Sequence, residues 1–354
     1  MCAQQVCYLL FLKQAGCYLR HRLEAYVPMS FRLSDYDYAL PSELIAQRPL
    51  PRREDSRMMV MRRDAQTIEH RKFTDLPRLF APGDLFVLND TRVVSARKFS
   101  DDGAIEFLFI ERLGPLRWKC LAKPGRKMRL GTTFKIDNVT ARVEEILGEG
   151  ERVISLSKDV DLYASGSMPL PPYVHRESDA NDETRYQTVY AQTPGAIAAP
   201  TAGLHFTQEI LNAMSHTFVT LHVGTGTFRP VHSEDIREHH MHPERFSISA
   251  EAADKIDKAG RVAAVGTTSV RVLESAHREN GKLIAQTGMT DIFIYPPYKF
   301  QHVDLLFTNF HLPRSTLLML VSAFAGREFL LKAYEEAICE RYRFYSYGDC
   351  MLIL

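Results

Sequence analysis

Apolar residues along the chain fall into short runs cut by turn residues, and the texture of those runs changes twice. Residues 31–93 scatter arginines among short apolar stretches until Asp84-Leu85-Phe86-Val87-Leu88, a nearly all-apolar run that stops at Asn89-Asp90. Such a run predicts a buried strand reaching a loop. From about Ile105 to Leu156, β-rich runs follow one another at Ile105–Ile110, Trp118–Leu121, Thr132–Ile136, Thr140–Val143 and Val153–Leu156, punctuated by Gly114-Pro115, Pro124-Gly125 and Gly148-Glu149-Gly150. Closely spaced strands with no helix between them predict a small antiparallel barrel or sandwich. The Pro-rich stretch Met168-Pro169-Leu170-Pro171-Pro172 closes that region.

Beyond it, strands and helices alternate again. Arg261–Val265 is a short apolar run ending at Gly266, and Ile292–Tyr295 is another, ending at Pro296-Pro297. Leu317–Phe324 reads as a buried helix. Phe329, Leu330, Ala333, Tyr334, Ala337 and Ile338 recur at helical spacing, giving the next helix one apolar face. The whole pattern predicts an α/β core domain, residues 29–93 plus 169–354, carrying an inserted all-β domain, a small antiparallel β-barrel over 94–168.

Composition changes this picture little. The 354 residues are 45% hydrophobic and 25% charged, as in an ordinary globular protein with ample core. Net charge is +1, from 44 Lys+Arg against 43 Asp+Glu, which argues against wrapping long nucleic acid by bulk charge but leaves room for a local basic face. The six cysteines form no C-x-x-C pair and no zinc spacing, as expected of free thiols in a reducing, cytoplasmic setting. Residues 1–28 carry an apolar run, Val6 to Leu12, too short to span a bilayer and with no positive charge before it. That segment reads as a poorly ordered extension, or as sequence upstream of a natural start at Met29.

Five stretches hold candidate chemistry. Val265 to Arg271 runs from a strand into a helix start, where backbone N–H groups with Thr and Ser hydroxyls suit a ribose hydroxyl or a carboxylate. An ordinary capped βα turn uses the same residues. In Thr220–Pro230, Val219, Leu221 and Val223 share one strand face, placing Thr220 and His222 on the other, before a Gly-Thr-Gly turn that lets a ligand approach the backbone. Ala199–Thr207 is a small-residue loop from which His205 can reach a cleft; Thr207 also suits a helix cap. Glu238–Glu244 holds three histidines, but neither their spacing nor Pro243 fits a metal site, and polar loop residues explain them better. Finally, residues 112–135 contain eight basic side chains and no acidic one, with Trp118, the only tryptophan, among them. A basic β-surface with an aromatic can hold phosphates and stack an unpaired base; a solvated face over a core tryptophan is the alternative.

Read in order, the longer strings resemble the S-adenosylmethionine:tRNA ribosyltransferase-isomerase family of queuosine biosynthesis, from about Phe31 to Leu354. They are D-Y-D-Y-A-L-P from Asp35, L-I-A-Q-R-P-L from Leu44, L-N-D-T-R-V from Leu88, P-L-P-P-Y from Pro169 and R-Y-Q-T-V-Y-A from Arg185. A-A-P-T-A-G-L-H-F-T from Ala198, T-L-H-V-G-T-G-T-F-R-P-V from Thr220, A-V-G-T-T-S-V-R from Ala264 and T-D-I-F-I-Y-P from Thr290 follow. T-N-F-H-L-P-R-S-T-L-L-M-L-V-S-A-F-A-G from Thr308 and Y-G-D from Tyr347 complete the series. The resemblance implies an α/β domain with an inserted barrel. It also implies a reaction in which the ribosyl chain of S-adenosylmethionine passes to 7-aminomethyl-7-deazaguanine at the wobble position of a tRNA with a GUN anticodon. Adenine and methionine leave and epoxyqueuosine is the product base. S-adenosylmethionine is then a consumed substrate, and no cofactor or metal is expected; a monomer without membrane attachment is.

Within that reading a base must remove an acidic proton beside the sulfonium, and the amine must be deprotonated. His205, His222 and His311 are the leading candidates, with Asp90 and Asp291 behind them, because they end matching motifs beside small-residue loops. For S-adenosylmethionine the expected contacts are Gly266, Thr267, Thr268 and Arg271 at the ribose or carboxylate, Tyr295 and Tyr298 at the sulfonium, and Arg314 and Ser315 before the apolar helix. Trp118, Arg126, Lys127 and Arg129 are the expected tRNA contacts. The rivals are an S-adenosylmethionine-dependent RNA methyltransferase and a non-catalytic RNA-binding protein, neither of which releases adenine.

Overall fold

In the computed structural model, which describes residues 31–224, 226, 231 and 233–354, the run Asp84–Asn89 is a strand with every residue buried. It lies in a nine-stranded sheet ordered Gln286–Thr290, Glu244–Ile248, His216–Leu221, Asp84–Asn89, Arg261–Val265, Leu305–Asn309, Cys350–Ile353, Arg57–Arg62 and Thr67–Lys72. The four strands from His216–Leu221 to Leu305–Asn309 are mutually parallel, so their carboxyl ends share one edge. Alternate residues divide between two apolar clusters: Leu85, Val87, Ala264 and Leu306 pack on one face, Phe86, Leu88, Ala263, Val265 and Phe307 on the other. Burial on both faces is why these strands read as unbroken apolar runs.

The helix Gly266–Ser275 follows directly from Arg261–Val265, and the helices Thr316–Ala325 and Arg327–Cys339 follow Leu305–Asn309. Ser315 caps the first of that pair, accepting from the Leu318 amide at 3.2 Å, a cap worth about 1 kcal/mol. Ile292–Tyr295, by contrast, is not a strand. The ladder with Glu244–Ile248 ends at Thr290, and the apolar residues beyond it pack against the core as an irregular segment before Pro296-Pro297.

A second sheet has six antiparallel strands, ordered Arg97–Phe99, Glu106–Gly114, Arg117–Lys123, Glu151–Leu156, Val139–Ile146 and Thr133–Ile136. Its two edges approach where the Asp101 amide donates to the Lys135 carbonyl at 2.9 Å. Phe107, Phe109, Trp118, Cys120, Ile136, Val143 and Ile154 fill its interior. Residues Phe31–Leu354 cluster as one compact unit of mixed α/β structure with several sheets. The extension 1–28, and Thr225 with 227–230 of the Gly-Thr-Gly turn, lie outside the described residues. No described helix is long and apolar enough to cross a membrane.

Candidate active site

At the shared edge two of the parallel strands end on asparagine, Asn89 and Asn309, and the other two run on into His222 and Gly266-Thr267. The Asn89 side chain takes the place of a missing ladder partner: Oδ1 accepts from the Leu221 and Thr91 amides at 3.0 and 3.1 Å, and Nδ2 donates to the Leu221 carbonyl at 2.9 Å. This fixes the Asp90-Thr91 turn beside the end of His216–Leu221. There Thr220 Oγ1 donates to Asp90 Oδ1 at 2.6 Å, and Thr91 Oγ1 lies 2.9 Å from His222 Nδ1. Val219, Leu221 and Val223 point the other way, into the core. Gly195 closes over the imidazole; a Cβ there would stand 2.8 Å from His222 Nδ1. Burial raises the Asp90 carboxyl above its ordinary value and, helped by Arg245, lowers His222.

One strand further along, the edge opens into a cleft of about 750 Å³ including its mouth. Ala198 to Ala202, Gly266 to Thr268, Asn309 to Leu312, Ser315 and the tyrosines Tyr173, Tyr186 and Tyr345 line it. The outer edge of the carboxyl ends is where open parallel sheets bind ligands. Gly266 takes φ +82°, a left-handed turn that L side chains resist, so the chain can swing from strand into helix beside Ala202. Three polar atoms of lining residues are buried without a partner: Thr268 Oγ1, Asn309 Oδ1 and the Tyr186 hydroxyl. Unpaired buried polar atoms are costly and point to a missing partner.

His311 also lines the cleft. Its Nε2 lies 2.8 Å from Thr308 Oγ1, its amide donates to the Tyr334 hydroxyl at 2.9 Å, and its carbonyl accepts from Tyr38. His205 lies behind the same wall. The Asn309 amide reaches His205 Nε2 at 3.2 Å, Nδ1 is 2.8 Å from Ser56 Oγ, and Phe73 and Phe307 flank the ring. Burial pushes both histidines down to about 3, with Arg53 and Arg343 adding to the effect at His205. Both are neutral at pH 7. Because their folded values lie below the unfolded one, the stability they contribute is fully present above pH ~6.5 and is lost as pH falls toward ~3. Urea unfolding between about pH 6 and 4.5 should lose about 2.7 kcal/mol per pH unit from the two together, and His205→Asn should remove half of that slope. Asp90 and Asp349, raised by burial, act in the opposite sense at lower pH.

The other expected residues are placed elsewhere. Arg271 is buried against Glu244 and the Thr290 carbonyl, and Glu244 also accepts from the Gly224 amide at 2.9 Å, so this guanidinium is consumed inside the fold. Arg314 turns outward at φ +55° and pairs with Asp37 at 2.6 Å, whereas its neighbour Ser315 does line the cleft. Tyr298 donates to Glu274 at 3.0 Å, and Tyr295 packs edge-on against Phe31 and beside Phe293; neither is a lining residue. Asp291 is exposed past the end of its strand. Trp118 requires a correction: it is fully buried, edge-to-face with Phe109 and Tyr163, and cannot stack on a base. Arg117 and Lys119 alternate with it and point out, a period-two signal that gives Trp118 to the interior. Arg126, Lys127 and Arg129 are exposed, the first two on the turn Gly125–Lys127. Sequence reasoning missed Asn89 and Asn309; the available signal was that each ends an otherwise apolar strand.

The chain matches the family described as queuosine biosynthesis protein over residues 33–353. A relative from Desulforamulus reducens, named S-adenosylmethionine:tRNA ribosyltransferase-isomerase, is 47% identical over 91% of this chain and 100% of its own. One of the same name from Clostridioides difficile is 48% identical, covering 90% and 98%. The crystal structure of an S-adenosylmethionine tRNA ribosyltransferase from Thermotoga maritima is 40% identical over 90% of this chain and 100% of that one, with a TM-score of 0.53. With its strand-end motifs assembled at one edge and nearly its whole described length matched, the chain belongs to the queuosine biosynthesis protein family.

Proposed function

We propose that this protein transfers and isomerises the ribosyl moiety of S-adenosylmethionine onto 7-aminomethyl-7-deazaguanine at the wobble position of a GUN-anticodon tRNA, releasing adenine and methionine. The observation that carries the assignment of the site is a set of unpartnered buried atoms, Thr268 Oγ1 and Asn309 Oδ1 among them, in a cleft at the carboxyl edge of four parallel strands. Asn309 Oδ1, an acceptor, suits a ribose hydroxyl, and Thr268 Oγ1 with the N-terminus of the helix Gly266–Ser275 suits a ribose hydroxyl or the carboxylate of the nucleoside. Tyr173 and Tyr345, whose rings lie 4.7 Å apart, replace Tyr295 and Tyr298 as the aromatic surface for the sulfonium, a contact worth about 0.5–2 kcal/mol.

The positive sulfur acidifies the adjacent C5′ protons, and the base that takes one must be competent near neutral pH. His311 and His205 are too weakly basic, being held near 3, and His311 serves instead as a neutral hydrogen-bonding group in the cleft. Asp90 moves toward greater basicity on burial and stands with His222 one strand away, which favours this pair for proton transfer. The six-stranded sheet acts as an inserted barrel domain that receives the tRNA, and the enzyme works as a cytoplasmic monomer without a metal.

Incubating the protein with labelled S-adenosylmethionine and tRNA bearing the aminomethyl-deazaguanine tests the reading. Free adenine, methionine and a heavier anticodon nucleoside are expected; methylated RNA with S-adenosylhomocysteine would instead mark a methyltransferase. The exposed turn gives a second prediction. Replacing Arg126, Lys127 and Arg129 together with Gln should lower the slope of log affinity for tRNA against log salt by about 2, given about 0.7–0.9 for each phosphate no longer neutralised. An unchanged slope would remove the six-stranded sheet from the RNA interface.

A further inference from the structure

Four of the motif strings, those from Leu44, Arg185, Ala198 and Tyr347, converge on a notch that the chemistry above does not use. Pro49, Leu50, Arg52, Arg53, Arg185 and Gly348 line it, Ser56, Leu204 and His205 form its inner wall, and it measures about 270 Å³ including its mouth. Ser346 and its neighbours separate it from the large cleft; Ser346 itself lines both.

The notch is positively charged beyond what its carboxylates balance. Arg53 donates to two carbonyls, Leu204 at 3.1 Å and Thr184 at 2.8 Å, and Arg185 donates to the Pro51 carbonyl at 3.0 Å. Neither has an ion pair among the described residues, and Arg185 Nε is buried without a partner. Arg343, whose charge also acts on His205, donates to the Arg48 carbonyl and leaves Nη1 buried and unpaired. Several other half-buried arginines of this fold are neutralised, Arg176 by Asp182, Arg97 by Glu106 and Arg278 by Asp257, while Arg63 and Arg152 donate to carbonyls singly rather than sharing one notch. The carboxylates near the notch are committed. Glu54 pairs with Arg52 and Asp182 with Arg176 and Tyr347, while Asp349, which accepts the Arg57 and Arg343 amides, offsets the Arg343 charge and leaves Arg53 and Arg185 as the excess. Burial, joined by the like charge of Arg185, holds the Arg53 guanidinium down to about 10, the mark of a cation kept without a counter-ion.

We propose that this notch is an oxyanion site that takes one phosphodiester group of the RNA, next to the nucleotide presented to the large cleft. A planar guanidinium fork suits phosphate oxygens, and the free Nε of Arg185 supplies a donor not needed by the fold. Its position across Ser346 from the cleft fits a nucleotide whose base enters the cleft while its backbone rests outside. The site rests on RNA being the substrate, as proposed above.

The test compares wild type with Arg185→Gln and with Arg53→Gln/Arg185→Gln, using filter binding of tRNA over a salt series. The expected result is a salt slope lower by about 0.7–0.9, the equivalent of one phosphate, and about tenfold weaker tRNA binding at low salt. An unchanged slope and affinity in both variants would overturn the proposal. Should the double variant fail to fold, Arg185→Gln alone decides, since Arg185 makes a single carbonyl contact. Thermal unfolding with inorganic phosphate separates the two sources of the anion. Stabilisation of wild type that Arg185→Gln abolishes, with tRNA binding unaltered, would make this a free-phosphate site and contradict the RNA assignment. Because binding and adenine release are read separately, a wild type that binds tRNA with the expected slope but releases no adenine would count against the reaction alone.

Discussion

Arg271→Met should destabilise the folded protein by about 3–5 kcal/mol, because it leaves Glu244 buried with an uncompensated charge. Both side chains are buried, Glu244 is fixed by the Gly224 amide, and no other cation bonds to it among the described residues. Adding Glu244→Gln should recover most of the loss, since the amide keeps the acceptor and removes the charge. Urea titrations of wild type, single and double variants measure this coupling. The pair ties the strand Glu244–Ile248 to the helix that begins at Gly266, so Arg271 supports the cleft floor without touching it. A variant of normal stability whose only defect was a raised KM for S-adenosylmethionine would return Arg271 to the substrate carboxylate.

Asp90→Asn should cut turnover by about 10²–10⁴-fold, the usual worth of a positioned acid–base group, with no loss of stability at pH 7. The sign follows from burial. The folded carboxyl titrates above its unfolded value near 3.8, so it contributes stability that is full below that value and lost as pH rises through the folded one. At neutral pH the ionised group is a cost to the fold. Asn resembles the protonated acid and still accepts from Thr220 Oγ1, so thermal unfolding at pH 7 should be unchanged or shifted upward. Parallel assays of adenine release and thermal unfolding read both effects. Near-normal turnover in a stable Asp90→Asn protein would exclude this carboxylate as the base.

Much of this arrangement is legible in the residues, for identifiable reasons. Asp84–Asn89, Arg261–Val265 and the helices Thr316–Ala325 and Arg327–Cys339 carry their periodicity in local sequence, and each forms where the pattern requires. Gly266, Thr267, Thr268, His311 and Ser315, spread over some fifty residues of chain, meet in one cleft because parallel strands bring their carboxyl ends together. Side-chain direction is harder to read. Arg271 is five residues past Gly266, and a helix at 3.6 residues per turn carries it round to the side facing Glu244. Arg314 is diverted by the left-handed turn that lets Ser315 cap the next helix. The pairing of Asp90 with Thr220, and of His222 with Thr91, depends on strands about 130 residues apart in sequence, which local pattern does not report. Trp118 is different: its alternation with Arg117 and Lys119 marks it as interior from sequence alone, despite the basic side chains on either side.

The claim on which the rest depends is that the cleft at the carboxyl ends of Arg261–Val265 and Leu305–Asn309 is where S-adenosylmethionine sits. Hydrogen exchange of the protein saturated with unmodified tRNA, which cannot react, should be compared with and without S-adenosylmethionine. Added protection is expected in peptides spanning 198–204, 266–270 and 309–317, and little elsewhere. Protection confined to the six-stranded sheet, or none in those three segments at saturating ligand, would contradict the account.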